Sequence, residues 1–245
     1  MCLKHMFENT EQARGAESDE KTRERLLDAA GEVFADQGFR NATVREICRR
    51  AGANVAAVNY HFGDKERLYL EVMRQAHGHA FSKYPSDMGL PPGAPPEDRV
   101  RSFVKAFLLR ILDIGKSSWA GRLMSKELSE PTAALDFIVN EQIRPNFIFL
   151  STALRELLGP AAAATPDGDA LVRRCAASIV GQCLFYHFGR PILERLQPGT
   201  KVGVEQVEAL SAHIAAFSLA AVRGFGKQER AGRNGKRKPA KARRA

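Results

Sequence analysis

The sequence has few cysteines, and they do not form a recognisable framework. Cys2, Cys48, Cys175 and Cys183 are the only four among 245 residues, and their spacing matches neither a disulfide scaffold nor a zinc site. The last three lie among apolar residues of predicted helices. We therefore expect buried free thiols and a reducing, cytoplasmic environment.

Long apolar runs are also missing. The first 21 residues contain no apolar core long enough for a signal peptide, and no stretch approaches the ~18 apolar residues typical of a membrane span. The sequence predicts no membrane partner.

Motifs for catalysis, metals and cofactors are absent as well. There is no G-x-S-x-G, no phosphate-binding glycine loop and no Cys/His zinc spacing. His77 and His79 are two residues apart on a predicted helix, so they face different directions. We predict no enzyme activity, no metal and no cofactor.

The net charge of +9 is concentrated at one end of the chain. From Arg223 onward there are ten Lys or Arg residues and one acid, so residues 1–222 are formally neutral. The composition of residues 226–245 predicts a disordered basic tail. Such a tail can add sequence-independent phosphate contacts or can simply be solvated, and the sequence leaves both readings open.

The most informative segment runs from Thr43 to Glu66 and predicts two short capped helices and the start of a third. Thr43 with Glu46 forms a capping box, and Gly52 suits a left-handed C-terminal cap. Asn54 can cap the second helix, from which Val55 and Val58 are predicted to face inward. This order of elements is typical of a helix-turn-helix, whose second helix enters the DNA major groove.

The outward side of that second helix would carry small and polar residues. Small side chains let a helix approach base edges, and Asn, Tyr and His provide donors and acceptors. The predicted outward residues are Ala56, Ala57, Asn59, Tyr60 and His61. A plain core hairpin is the alternative, but this surface is too small and polar for burial.

Helices are predicted on both sides of this segment. The helix from Thr22 to Gly38 carries an apolar stripe, and a helix capped by Asp64 continues to about Phe81. We predict a three-helix DNA-binding domain over 19–81, preceded by a disordered segment over 1–18.

The rest of the sequence is also predicted to be helical, so the predicted fold class is all-α. A Pro/Gly-rich break over 83–96 precedes a C-terminal helical ligand-binding and dimerisation domain over 97–224, in which Pro145 should kink or split a helix. Residues 175–189 and 209–222 carry no formal charge. Helices apolar nearly all round need cover on two sides, which favours a two-fold homodimer over a pair buried inside a monomer.

Residues 21–81 resemble the DNA-binding domain of the TetR (tetracycline-repressor) family. The residues that carry the resemblance are LLDAAGEVFADQGFRNATVREICRRAGANVAAVNYHFGDKERLY. The resemblance implies phosphate contacts from Thr43 and Lys65. Members of the family usually have an aromatic residue at the position of Asn59. The resemblance implies that Tyr60, the next residue, contacts the same phosphate in its place. The predicted DNA-binding residues are Thr43, Arg45, Asn54, Ala56, Ala57, Asn59, Tyr60, His61 and Lys65.

The C-terminal half resembles the CecR-type subgroup through GRLMSKELSEPTAALDFIVNEQIRPNF and SIVGQCLFYHFGRPIL. TetR-like regulators place the helix at Trp119 beside an inducer pocket, so the resemblance implies an effector site there, although an aromatic core without a cavity is an equal alternative. The predicted effector-binding residues are Phe103, Phe107, Trp119, Arg122, Glu127, Phe147, Gln182 and Tyr186.

Two functional hypotheses follow. The first is a homodimeric, sequence-specific transcriptional repressor of palindromic operators that a small-molecule effector releases by shifting helix 64–81. The second is a sequence-tolerant nucleic-acid-binding protein led by its basic tail.

Overall fold

The computed structural model describes residues 2–112, 119–159, 165–199 and 203–236, with side chains described between residues 17 and 227 of these ranges. The described residues form helices and turns without a strand, which confirms the all-α prediction. The α-helices are α1 (Cys2–Asn41), α2 (Val44–Ala51), α3 (Val55–Phe62), α4 (Lys65–Lys83), α5 (Pro96–Leu112), α6 (Trp119–Ser129), α7 (Ala134–Ile138), α8 (Arg144–Leu158), α9 (Pro166–Phe188), α10 (Arg190–Leu196) and α11 (Val207–Lys236).

The chain divides into two units, each with its own hydrophobic core. The first contains Met1–Ala80 and Gly115–Gln142, and the second contains Phe81–Ile114 and Ile143–Ala245. The predicted domains divide the chain differently, because α6 and α7 fall within the predicted C-terminal domain but pack in the first unit. The domain boundaries therefore remain a prediction.

Helix α1 provides the main wall of the first core. Its predicted apolar stripe is confirmed: Leu26, Ala30, Val33 and Phe34 are fully buried. At Gly38 the backbone leaves the helical region (φ 76°, ψ 165°), as expected for a residue predicted to end the helix.

The N-terminal end of α1 differs from the prediction. The helix begins at Cys2, whereas the sequence predicts disorder over 1–18. An i, i+4 ion pair between Lys21 and Glu17 supports the helix where side chains are described. The side chains of residues 1–16 lie outside the described part of the chain. In the predicted disordered tail over 226–245, residues 226–236 are instead helical as the end of α11, and residues 237–245 lie outside the described part of the chain.

Helix α6 packs directly on α1. The Trp119 ring lies over Gly31, where an added Cβ would be 2.5 Å from a ring carbon. Further along the same contact, Arg122 Nη2 lies 3.2 Å from Asp36 Oδ1, and Lys126 Nζ donates to the Asp36 carbonyl at 3.0 Å. Gly31 therefore makes the close approach of these two helices possible.

A buried carboxylate joins three elements of the same unit. Glu127 of α6 is 1% exposed and accepts a 2.6 Å hydrogen bond from the Tyr69 hydroxyl of α4. The Thr132 backbone N–H and hydroxyl donate to Glu127 Oε1 at 2.8 and 2.9 Å. Burial, followed by the bond to Glu127, raises the pKa of Tyr69, so the phenol stays protonated.

Pro145 lies where the structure interrupts helix formation. A π-helical turn over Val139–Ile143 separates α7 from α8, and Pro145 follows at the start of α8, where its missing N–H costs no intrahelical bond. The predicted kink or split therefore takes the form of a change in helix type, since the backbone stays helical from α7 through the π-helical turn into α8.

In the second unit, α5, α8, α9 and α11 surround a common core. Its fully buried residues include Val104, Leu154 and Cys183. The segment Val204–Lys227 is long and apolar enough to cross a membrane by length and composition alone, contrary to the sequence prediction. A single helix of this kind also occurs in the cores of water-soluble proteins. Here one side of α11 packs in the core, which accounts for part of its apolar character.

The contact between α1 and α6 predicts opposite effects of the same substitution at two helical glycines. Ala normally stabilises a helix interior by ~1 kcal/mol relative to Gly. At Gly31 a methyl group would overlap Trp119, so we expect Gly31→Ala to lower the free energy of unfolding by about 1–3 kcal/mol. Chemical denaturation measures this change.

Gly78 of α4 is the matched control, because an added Cβ there meets nothing within 4 Å. We expect Gly78→Ala to be neutral or stabilising. Equal stabilisation by both substitutions would contradict the packing described for Trp119.

Candidate nucleic-acid interface

Helix α2 is fixed by local capping. The Thr43 side chain accepts a hydrogen bond from the Glu46 backbone N–H at 3.2 Å, and Gly52 ends the helix in the left-handed conformation (φ 62°). The remaining part of the predicted capping box does not form. Glu46 turns instead towards arginines one turn later in the helix.

Those arginines hold Glu46 ionised. Arg49 donates two 2.8 Å hydrogen bonds to the carboxylate and Arg50 donates one at 3.0 Å. The bonds from Arg49, and then the bond from Arg50, lower the pKa of Glu46 to about 2. Arg50 also lies 3.5 Å from Asp36 of α1, so much of the positive charge on α2 is compensated.

Helix α3 is anchored by one buried face. Val58 is fully buried and Phe62 is 6% exposed, and both pack in the core formed with α1 and α4. The Cys48 thiol donates to the Asn54 carbonyl at 3.4 Å, which ties α2 to the start of α3. The Asn54 side chain accepts from the Ala57 N–H at 2.9 Å and confirms the predicted N-cap.

The opposite face of α3 is exposed as a continuous stripe. Val55 and Ala56 are followed one turn later by Asn59 and Tyr60, and Tyr60 is 77% exposed. We call these four residues the α3 stripe. A helix that presents small side chains beside an amide and a phenol has the shape and donors needed to read base edges in a major groove.

Three sequence predictions on α3 need correction. Val55 was predicted to face inward but is 47% exposed, because it lies at the first helical position with Asn59 one turn later. Ala57 packs against the first core. His61 was predicted to face outward, yet its side chain is 7% exposed and its Nε2 lies 3.4 Å from Asp19 of α1.

The predicted phosphate contacts lie at the ends of neighbouring helices. Thr43 is exposed at the start of α2, and Arg45 is exposed two residues later without a carboxylate partner among the described residues. The Lys65 amine lies 4.6 Å from the centre of the Phe39 ring and donates to the Arg40 carbonyl at 3.4 Å. Partial burial lowers the pKa of Lys65. These contacts hold the amine at the start of α4.

The predicted effector residues divide between the two units. Trp119, Arg122 and Glu127 belong to the first unit, where they pack on Gly31, pair with Asp36 and accept from Tyr69 as described above. Arg122 and Glu127 use different partners, since Arg122 pairs with Asp36 while the buried Glu127 accepts from Tyr69 and Thr132. Packing was the alternative left open for this set, and the partners Gly31, Asp36 and Tyr69 could not be identified from the sequence.

The other five belong to the second unit. Phe103 is 2% exposed and stacks on Phe107 with 5.8 Å between ring centres. Gln182 donates to Ser218 Oγ at 3.2 Å, which places it between α9 and α11. Tyr186 packs against the core and Phe147 is 37% exposed. The structure therefore brings Phe103 and Phe107 together, and it places Gln182 in the groove between α9 and α11.

Sequence reasoning missed two residues of interest. Val55 belongs to the exposed stripe, and its position one turn before Asn59 could have indicated this. Arg110 of α5 is 5% exposed and is the one buried Lys or Arg among the described residues. Its place on the apolar face of α5, after Phe103 and Phe107, was the available signal.

Two family models match the chain in the order of these elements. The model described as "Bacterial regulatory proteins, tetR family" matches residues 26–72 and includes the whole of α2 and α3. The model described as "HTH-type transcriptional dual regulator CecR, C-terminal domain" matches residues 96–222, which is just over half of the chain.

Individual relatives agree with the family models. The chain is 25% identical over 200 residues to the HTH-type transcriptional dual regulator CecR of Shigella flexneri, and the match covers 78% of this chain and 87% of that protein. It is 39% identical over 54 residues to the transcriptional repressor AcnR of Corynebacterium efficiens, which covers 22% of this chain and 29% of AcnR.

A solved structure shows the same fold. AibR, crystallised in complex with isovaleryl coenzyme A and operator DNA, matches 80% of this chain and 97% of its own with a TM-score of 0.55 and 17% identity. The capped pair α2 and α3, the exposed stripe and the two family models lead to one conclusion: this chain belongs to the TetR family of bacterial transcriptional regulators, with a CecR-type C-terminal domain.

Proposed function

We propose that this protein is a homodimeric repressor that binds palindromic operators through α3 and is released by a small-molecule effector bound in its second unit. The single observation that carries this proposal is the α3 stripe, which is exposed while Val58 and Phe62 fix the helix from behind. Regulators similar to this chain include a dual regulator and a repressor, so the family accommodates repression.

The stripe assigns different tasks to neighbouring residues. Ala56 allows close approach to the duplex, the Val55 methyl groups suit a thymine methyl, and Asn59 and Tyr60 supply hydrogen-bonding groups. Thr43, Arg45 and Lys65 flank the stripe and would bind backbone phosphates, which position the helix without reading sequence. Asn54 and His61 act by holding α3, because their side chains are used in the cap and in the contact with Asp19.

Substitutions in the stripe should separate recognition from folding. We expect Asn59→Ala and Tyr60→Ala each to weaken binding to a selected operator by about 10- to 100-fold, since each removes a base-edge or phosphate contact. Both side chains are exposed, so the thermal midpoint should stay within about 1 °C of the wild type. Titration of fragments that the wild-type protein selects from random DNA, at fixed salt, measures the effect.

His61→Ala serves as the comparison on the same helix. It should lower the thermal midpoint while leaving the ranking of DNA sequences unchanged. Unaltered sequence selectivity in the Asn59→Ala, Tyr60→Ala double variant would remove the basis of the proposal.

The homodimer is supported by apolar surface on α9 and α11 that the second core leaves uncovered. Phe185 and Phe188 of α9 are about half exposed, and Phe217 of α11 is 61% exposed. A groove of about 730 Å³ runs between the two helices. If this face packs on the same face of a second copy, the exposed rings become buried. The two-fold symmetry of such a dimer also pairs two α3 helices, as binding to the two halves of a palindromic operator requires.

A charge within this face should separate the subunits. We expect Phe217→Glu to convert a dimer into a monomer at micromolar concentration and to reduce operator affinity by at least tenfold, because each half-site then binds alone. Sedimentation velocity measures the assembly. Leu196→Glu on α10 is the control, since Leu196 is 72% exposed and lies on another helix. A dimer that survives Phe217→Glu would place the interface elsewhere.

The alternative function is sequence-tolerant binding of nucleic acid led by the basic tail. Replacing the eight Lys and Arg residues between 230 and 245 with Gln retains the length of the chain while removing the tail charge. For a sequence-specific regulator we expect operator preference to persist, with a shallower dependence of affinity on salt. Uniform loss of binding to all DNA fragments would favour the alternative.

A further inference from the structure

The second unit contains one buried charged side chain among its described residues, Arg110 of α5. It is 5% exposed, and no carboxylate of the described chain pairs with it. Burying an unpaired charge costs several kcal/mol, whereas an apolar side chain of similar size would cost nothing of this kind. A guanidinium at this position therefore requires a reason other than packing.

The contacts of the guanidinium within the described part of the chain are with neutral groups. Nη2 donates to Ser86 Oγ at 2.7 Å, Nη1 lies 3.4 Å from Asn146 Oδ1, and the group stands over the Phe81 ring, 4.3 Å from its centre. Nε is buried without an acceptor. Among the described residues, one of the three guanidinium nitrogens therefore has no acceptor, and a second has only a long hydrogen bond.

The contrast with Arg99 is informative. Arg99 lies three turns earlier on the same helix and is also largely buried, at 16% side-chain exposure, and its Nε likewise has no acceptor among the described residues, yet its guanidinium pairs with Glu156 of α8. The fold therefore provides a counterion for one partly buried arginine of α5 and none for the more deeply buried one.

The surroundings of Arg110 fit an organic molecule with an acidic group. Phe103 and Phe107 precede Arg110 at i−7 and i−3, on one face of α5, and their rings stack on each other. Ser86 belongs to the loop between α4 and α5, and its carbonyl accepts from the Ser102 hydroxyl at 2.6 Å. A loop hydroxyl is a weaker partner for a guanidinium than a carboxylate or phosphate, both of which match its planar fork bidentately.

We propose that Arg110 is the anion-recognition residue of the effector site, and that it binds the carboxylate or phosphate of a small organic acid in place of Ser86 and Asn146. This inference rests on the proposed function, because it names the chemical class of the effector. It also replaces Arg122, which pairs with Asp36, as the polar group expected to select the ligand.

The test compares an acid with its neutral isostere. 3-Phenylpropionate carries an aromatic ring and a carboxylate, and 3-phenylpropionamide differs only in charge and one polar atom. We expect the full-length protein to bind the acid at least tenfold more tightly than the amide, measured by calorimetry and by the rise in thermal midpoint at constant ionic strength. Inorganic phosphate and octanoate extend the comparison to a second acidic group and an aliphatic chain.

Two variants assign the effect to Arg110. Arg110→Met should abolish the preference for the acid, and Arg110→Lys should weaken acid binding at least tenfold, since an ammonium keeps the charge but lacks the fork. Arg99→Met is the matched control and should retain the preference. Circular dichroism verifies the fold of each variant, and Arg110→Lys decides the question if the methionine variant does not fold.

Several results would overturn the inference. They are equal binding of acid and amide, an acid preference that persists in the folded Arg110 variants, or no binding of 3-phenylpropionate, octanoate or phosphate. Operator titrations run alongside separate this inference from the proposed function. Anion binding without sequence-selective DNA binding would refute only the regulator, and selective DNA binding without anion binding would refute only the role of Arg110.

Discussion

The proposed role of the first unit depends on the burial of two α3 side chains, Val58 and Phe62, in the core. A helix of eight residues is too short to be stable alone, so its orientation must come from its neighbours. Those two side chains fix the rotation of α3 about its axis, and the caps at Asn54 and Gly63 fix its ends. Once the inner face is set, helical geometry leaves Val55, Ala56, Asn59 and Tyr60 outside.

The same core extends beyond the segment that resembles a DNA-binding domain. Helix α6 lies within the region matched by the CecR-type family model, yet it packs on α1 through Trp119 and Gly31 and holds Tyr69 of α4 through Glu127. A change in the position of α6 would therefore act on the helices that orient α3, through contacts within one unit. This gives a physical route by which a two-state regulator could bias its DNA-binding helices.

Buried charge distinguishes the two units. Glu127 is satisfied by three donors from Tyr69 and Thr132, so it serves as a structural acceptor. Arg110 has neutral acceptors for part of its fork and none for Nε. The first arrangement needs no ligand, whereas the second leaves capacity that an acidic ligand can use. The hydrogen-bond partners of each side chain therefore distinguish the two roles, since neither Glu127 nor Arg110 stands out in the sequence.

The sequence by itself determined the features that depend on a few adjacent residues. The caps at Thr43 and Asn54, the left-handed Gly52, the break at Gly38 and the apolar stripe of α1 follow from local hydrogen bonding and helical periodicity. The tertiary structure decided the rest, because burial depends on which distant element covers a side chain. Only the packing could show that His61 turns to Asp19, that Arg122 pairs with Asp36, and that Arg110 is buried without a counterion among the described residues. Such partners lie about 20 to 90 residues away along the chain, where propensity and spacing carry no information about contact.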